Sequence, residues 1–157
     1  MDIRPQMQTH RLEVGGHDVS VDGYGSAGPA VLLHGIPGWR GTWKSVAPFL
    51  AQEFQVYAPD LLGFGESDDP VGDFHAKGQA KMLLGLMNEL NLAQAHLVGF
   101  DFGGPVALHL YKLAPQRIRS LTLSNTNLLV QRGINKPAVL GHRRYGGFLL
   151  RLFFGRF

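Results

Sequence analysis

Cysteine is absent from the 157-residue chain, which excludes disulfide frameworks, thiolate metal sites and cysteine nucleophiles. Long hydrophobic runs are missing as well. None approaches the roughly 18 residues of a membrane span, and the start at Met1-Asp2-Ile3-Arg4 lacks the basic-then-apolar order of a signal peptide. The chain therefore reads as soluble and cytoplasmic, with no stable membrane span. A third scarcity is positional. Residues 1–101 hold all 12 Asp and Glu against 6 Lys and Arg, a balance of −6, whereas residues 102–157 hold 9 basic side chains and no acid. The net charge of +3 and the pI near 9.4 thus describe only the last third. No stacking platform or groove motif accompanies that basic stretch, so nucleic acid is not an expected partner. Asp101 is the final carboxylate side chain in the sequence.

What the chain has in excess is glycine, 21 of 157 residues, nearly twice the average usage of roughly 7%. With 9 Pro and no G-X-Y period, this signals many tight turns rather than a collagen-like or low-complexity chain. Residues 11–24 alternate around Gly15-Gly16 as a hairpin would. The apolar runs 30–33, 54–58, 96–100 and 118–123 read as strands, the first of them buried on both faces. Helical spacing covers 42–52, 77–90 and 103–113. Strands alternating with helices imply β-α-β units, hence an α/β fold with a mostly parallel sheet and helices on both faces. Gly63-Phe64-Gly65 follows a strand as a dinucleotide fingerprint does, but Asp68 occupies the place of the third glycine, so it is read as a turn.

The most informative stretch is His96-Leu97-Val98-Gly99-Phe100-Asp101-Phe102-Gly103-Gly104. A strand that turns into a helix within so few residues crowds the backbone, which calls for glycine two positions either side of the central residue. That residue projects at the carboxyl end of the sheet, beside the positive end of the helix. With serine there, the motif is an esterase nucleophile elbow. Asp101 at that point is kept ionised by the same field and is able to attack carbon. The plainer reading of Asp101 is a helix N-cap.

On this motif the chain resembles the α/β-hydrolase superfamily, and within it the Asp-nucleophile branch of epoxide hydrolases and haloalkane dehalogenases. Three further segments match in order: His34-Gly35-Ile36-Pro37-Gly38 is similar to the oxyanion loop after the third strand, Asp60 to Ser67 to the loop after the fourth, and Ser120 to Asn127 to the sixth strand. The resemblance implies that residues 1–127 form the N-terminal part of the hydrolase core. It further implies that residues 128–157 begin an incomplete cap, so that the sheet is expected to be truncated after about its sixth strand. It also implies Asp101 as nucleophile, backbone N–H groups of Ile36 and Phe102 as the oxyanion hole, and His34, Gly35 and Pro37 as the frame of that loop. Trp39 and Phe102 are expected beside a small apolar substrate. No metal and no cofactor are implied.

The residues around the elbow place an epoxide slightly ahead of a haloalkane. Ile36 and Phe102 stand where dehalogenases commonly place halide-binding Asn and Trp, and neither side chain donates a hydrogen bond. The His-Gly-x-Pro pattern favours an epoxide over a haloalkane, with Tyr145 the one available cap tyrosine. The His base and its acid are expected beyond Phe157, because His109 lies inside a helical stretch, His142 lies in the cap segment, and no acid follows Asp101. Without them the ester forms and does not turn over, and the uncovered core is expected to self-associate. The alternatives are a non-enzymatic truncated or degenerate member of the fold, and an ester-hydrolysing member.

Overall fold

The computed structural model of the chain describes residues 6–69 and 75–126. The expected hairpin comes first: β1 (Gln8–Val14) and β2 (His17–Tyr24) pair antiparallel, with Val14 opposite His17. Between them Gly15 and Gly16 both take positive φ, 59° and 83°, the pair of conformations required by a two-residue turn that matches strand twist. β3 (Gly28–Leu33), β4 (Phe54–Pro59), β5 (Ala95–Phe100) and β6 (Ile118–Ser124) complete a single sheet in the order β1-β2-β4-β3-β5-β6. β3 is parallel to β4 and β5, and β5 to β6, while β2 alone runs against its neighbours.

Successive strand residues point to opposite faces, and each face of this sheet has its own core. On one, Val31, Leu33, Tyr57 and Leu97 pack with α2 (Ala76–Glu89) and α3 (Gly103–Leu113). On the other, Leu32, Val56 and Ala58 pack with Ala47 and Ala51, at the two ends of the short α1 (Ala47–Leu50). Helices therefore cover both faces, and a leucine as fully buried as Leu32 or Leu97 contributes roughly 1.5–3 kcal/mol by leaving water. In α2 the buried Ala80, Leu83, Leu86 and Met87 recur at helical spacing while Lys77, Lys81 and Glu89 stay exposed. The helix stops at Asn91, whose φ is 54°. Its N–H donates to the Asn88 carbonyl at 2.9 Å and that of Leu92 to the Met87 carbonyl at 2.8 Å, the bonding of a Schellman cap.

The first helical region is shorter than its apolar spacing predicts. Residues 42–52 resolve into a 3-10 turn, Arg40–Trp43, and the single turn of α1. Pro48 lies in the first turn of α1 and has no N–H with which to continue a helix begun upstream. Among the described residues no helix is long and apolar enough to cross a membrane. The cap expected over 128–157, with His142 and Tyr145, lies outside the described residues, as does Asn127.

The strand order positions the site. The chain leaves β3 for β4 on one side and later returns through β5 on the other. The segments following β3 and β5 therefore diverge over a crevice at the carboxyl ends of the strands, where open α/β sheets bind ligands. Those two segments are the His-Gly-Ile-Pro loop and Asp101.

Candidate active site

Asp101 directly follows β5, and α3 starts two residues later. The close approach this demands is measurable. A Cβ on Gly99 would stand 2.6 Å from the Gly103 carbonyl oxygen and 2.8 Å from Gly104 Cα, and a Cβ on Gly35 would stand 2.5 Å from Asp101 Cβ. Asp101 itself has φ 50°, a left-handed conformation that costs a non-glycine residue on the order of 1 kcal/mol, though Asp adopts it more readily than most.

The carboxylate does not cap α3, whose N-terminus has no side-chain cap. Instead Oδ1 accepts the backbone N–H of Ile36 at 2.7 Å, a bond between segments 65 residues apart. The structure thus brings together Asp101 and the Ile36 N–H, two of the groups singled out from the sequence. The Phe102 N–H makes no hydrogen bond among the described residues. It lies at the open start of α3, where unpaired N–H groups and the helix dipole favour negative charge. Ile36 and Phe102 are half-buried, their side chains packed against the core on the α2/α3 face.

His34 is completely buried. Its Nδ1 is 2.9 Å from the Gly35 carbonyl oxygen, and its Nε2 accepts the Leu61 N–H at 3.0 Å. A carbonyl only accepts and an N–H only donates, so these partners fix the neutral tautomer with the proton on Nδ1. Burial pulls the His34 pKa below the ordinary histidine value, against the opposing pulls of the Gly35 hydrogen bond and of Asp60. With both nitrogens engaged, His34 ties the loop after β3 to the loop after β4. Pro37 follows Ile36 through a cis peptide bond and is exposed. Trp39 is 46% exposed, its ring stacked 5.2 Å from the Arg40 guanidinium carbon and lying over Gly41.

The sequence reading missed Arg40. Its side chain is 6% exposed and donates from Nε to Asp22 Oδ1 at 2.9 Å, from Nη1 to Asp60 Oδ2, and from Nη2 to Glu66 Oε2 at 2.8 Å. The Arg40 backbone N–H donates to Asp60 Oδ1 at 2.6 Å, and the Glu66 N–H to Asp60 Oδ2 at 2.8 Å. Burial alone would lower the Arg40 pKa, but Asp60 beside it, with the hydrogen bonds to Asp22, Asp60 and Glu66, outweighs that and raises it. This charge cluster fastens β2, the loop carrying Ile36 and the loop after β4 into one frame. Gly63 and Gly65, both at positive φ, wrap the chain around Asp60, so the Gly-Phe-Gly stretch is a turn as read. The signal available beforehand was an Asp immediately after a strand with a glycine five residues on; nothing in the sequence paired it with Arg40. His109 is exposed on α3, and among the described residues no group of three or more His, Asp or Glu is placed to hold a metal ion.

Comparison with known proteins agrees with this fold. A family model of the alpha/beta hydrolase fold matches residues 28–151. The chain is 36% identical over 104 residues to a soluble epoxide hydrolase of Corynebacterium sp. (strain C12), covering 62% of this chain and 36% of the relative. It superposes on the epoxide hydrolase CorEH, solved without ligand, with a TM-score of 0.81 at 25% identity, covering 94% of this chain and 56% of the other. A haloalkane dehalogenase, the DbeA-M1 loop variant from Bradyrhizobium elkanii, gives a TM-score of 0.72 at 32% identity, covering 76% of this chain and 40% of the other. The chain thus spans between about a third and somewhat over half of the length of these relatives.

Proposed function

For a chain that belongs to the alpha/beta hydrolase fold family, we propose a hydrolase in which Asp101 is the nucleophile toward a small apolar electrophile, an epoxide ahead of a haloalkane. One observation carries the reading: the Asp101 carboxylate is held through Oδ1 by the Ile36 N–H at 2.7 Å, and no side-chain hydrogen bond from it to the start of α3 is found among the described residues. An Asp serving only to start the helix would spend its oxygens on the first free N–H groups of α3.

Holding Oδ1 leaves Oδ2 to attack. A bond forms between Oδ2 and an epoxide carbon, the ring C–O bond breaks, and the released alkoxide takes a proton from water or a neighbouring acid. With a haloalkane the carbon–halogen bond breaks instead and halide leaves. In the second half, water adds to the ester carbon derived from Asp101 Cγ. Charge then develops on Oδ1, where the Ile36 N–H already points and the Phe102 N–H is free to join, an oxyanion-hole arrangement. The water requires a histidine base; His34 cannot serve, because both its ring nitrogens are committed to Gly35 and Leu61. The choice of epoxide rests on Ile36 and Phe102, whose apolar side chains offer no hydrogen bond to a departing halide. Phe102, adjacent to Asp101 and half-buried, is assigned the apolar surface beside the attack site, and Trp39, exposed on the loop that carries Ile36, is assigned to substrate contact with it. The similarity to epoxide hydrolases in sequence and structure supports the same order.

The test is single-turnover labelling. The purified chain is incubated with styrene oxide, or in parallel with 1-bromohexane, and analysed by intact-mass and peptide-mapping mass spectrometry. An adduct of the added epoxide on the peptide holding Asp101, absent in Asp101→Asn, is expected. Absence of any adduct with both probes refutes the nucleophile and favours a non-enzymatic or ester-hydrolysing member of the family.

A further inference from the structure

We propose that Thr126 is a positioning residue for Asp101, its hydroxyl pinning the elbow backbone so that the carboxylate meets the Ile36 N–H. The inference deepens the nucleophile reading and rests on it. Thr126 stands two residues past the end of β6 and is half-buried. Its Oγ1 donates to the Asp101 carbonyl oxygen at 2.6 Å. The same carbonyl accepts the Gly104 N–H at 3.1 Å, and the Asp101 N–H donates to the Ser124 carbonyl at 3.1 Å. Both backbone polar groups of the nucleophile are therefore tied down, and two of the three bonds come from the chain leaving β6.

Three features set this bond apart from ordinary threonine capping. Local Ser and Thr hydroxyls bond within about four residues along the chain, whereas Thr126 reaches 25 residues back. The side chain is also fixed by packing: a Cβ on Gly104 would stand 2.5 Å from Thr126 Cβ and 2.8 Å from its Cγ2. The residue it holds is the one with φ 50°. The cost of keeping a non-glycine residue in that conformation is of the same order as the net contribution of one hydrogen bond. Losing the hydroxyl therefore frees Asp101 to relax, and any rotation of its backbone carries Oδ1 off the Ile36 N–H.

Thr126→Val keeps the shape and removes the donor; Thr126→Ser keeps the donor. With styrene oxide in excess, the limiting rate of adduct formation on Asp101 is expected to fall about tenfold in Thr126→Val with the half-saturating concentration unchanged. Thr126→Ser is expected to return it to within about threefold. A second readout needs no reaction: by amide hydrogen exchange, Ile36 loses protection in Thr126→Val and keeps it in Thr126→Ser, while Leu97 in the central β5 is unchanged in both. If the wild type forms no adduct but Ile36 loses protection in Thr126→Val, the positioning is upheld and the nucleophile refuted. A Thr126→Val protein that labels at the wild-type rate with Ile36 still protected overturns the proposal. Should Leu97 protection show that Thr126→Val is unfolded, Thr126→Ala, which relieves the packing on Gly104, decides the same comparison.

Discussion

Replacing Arg40 with methionine preserves most of the side chain's length and apolar stem and deletes the guanidinium. Three carboxylates lose a partner, but unequally. Asp60 is fully buried and Asp22 is 4% exposed, whereas the Glu66 side chain is 65% exposed and is resolvated at once. The exposed pair contributes at most about 1 kcal/mol. Stranding the two buried carboxylates is the mechanism behind losses of about 3–5 kcal/mol when one partner of a buried ion pair is removed. Asp60 retains the Arg40 and Glu66 backbone N–H groups and Asp22 retains the Thr9 hydroxyl, which places the expected loss near the lower end, about 3 kcal/mol. Against a total stability of about 5–15 kcal/mol for a domain, that is a large shift of the urea midpoint with an unchanged slope. The assay is equilibrium urea unfolding followed by tryptophan fluorescence for the wild type, Arg40→Met and Glu66→Gln. If Arg40→Met and Glu66→Gln cost the same, both within about 1 kcal/mol, the cluster does not frame these loops.

Two further perturbations probe the same loops. Because burial lowers the His34 pKa, the unfolded chain binds a proton there before the folded one does. Stability is therefore unaffected above the unfolded value near 6.5 and falls as pH drops below it, by up to about 1.4 kcal/mol per unit from this group. Urea midpoints at pH 7.5 and 5.5 should diverge more in the wild type than in His34→Gln, and equal divergence refutes the assignment. At the elbow, Gly99→Ala forces a methyl to within 2.6 Å of the Gly103 carbonyl oxygen and is expected to cost about 1–3 kcal/mol by thermal or urea unfolding. Gly28→Ala, where a Cβ meets nothing within 4 Å, is expected to stay within about 0.5 kcal/mol of wild type.

The parts of the structure that were legible in advance are those with local causes. The Gly15-Gly16 turn, the 103–113 helix and the strand-to-helix elbow each follow from a few adjacent residues, and α3 spans Gly103–Leu113 as its spacing predicts. The 42–52 helix was overextended because apolar periodicity registers which face is buried and ignores the missing N–H of Pro48. Arg40 and Thr126 were illegible for a different reason. Neither has a partner nearby in the chain, and its partner becomes a neighbour only through the sheet: Asp22 and Asp60 meet Arg40 because β2 lies beside β4, and Thr126 meets Asp101 because β6 lies beside β5. Topology supplies those pairings, and spacing along the chain carries no trace of them. Asp101 itself was legible because its glycine frame is local, whereas its hydrogen bond to Ile36 required the loop after β3 to be placed against it.

Covalent labelling of the purified chain by styrene oxide tests most directly whether Asp101 is a nucleophile. A mass increase equal to one epoxide, mapped to the peptide containing Asp101 and lost in Asp101→Asn, is the predicted result. No adduct, or one that persists in Asp101→Asn, would contradict it.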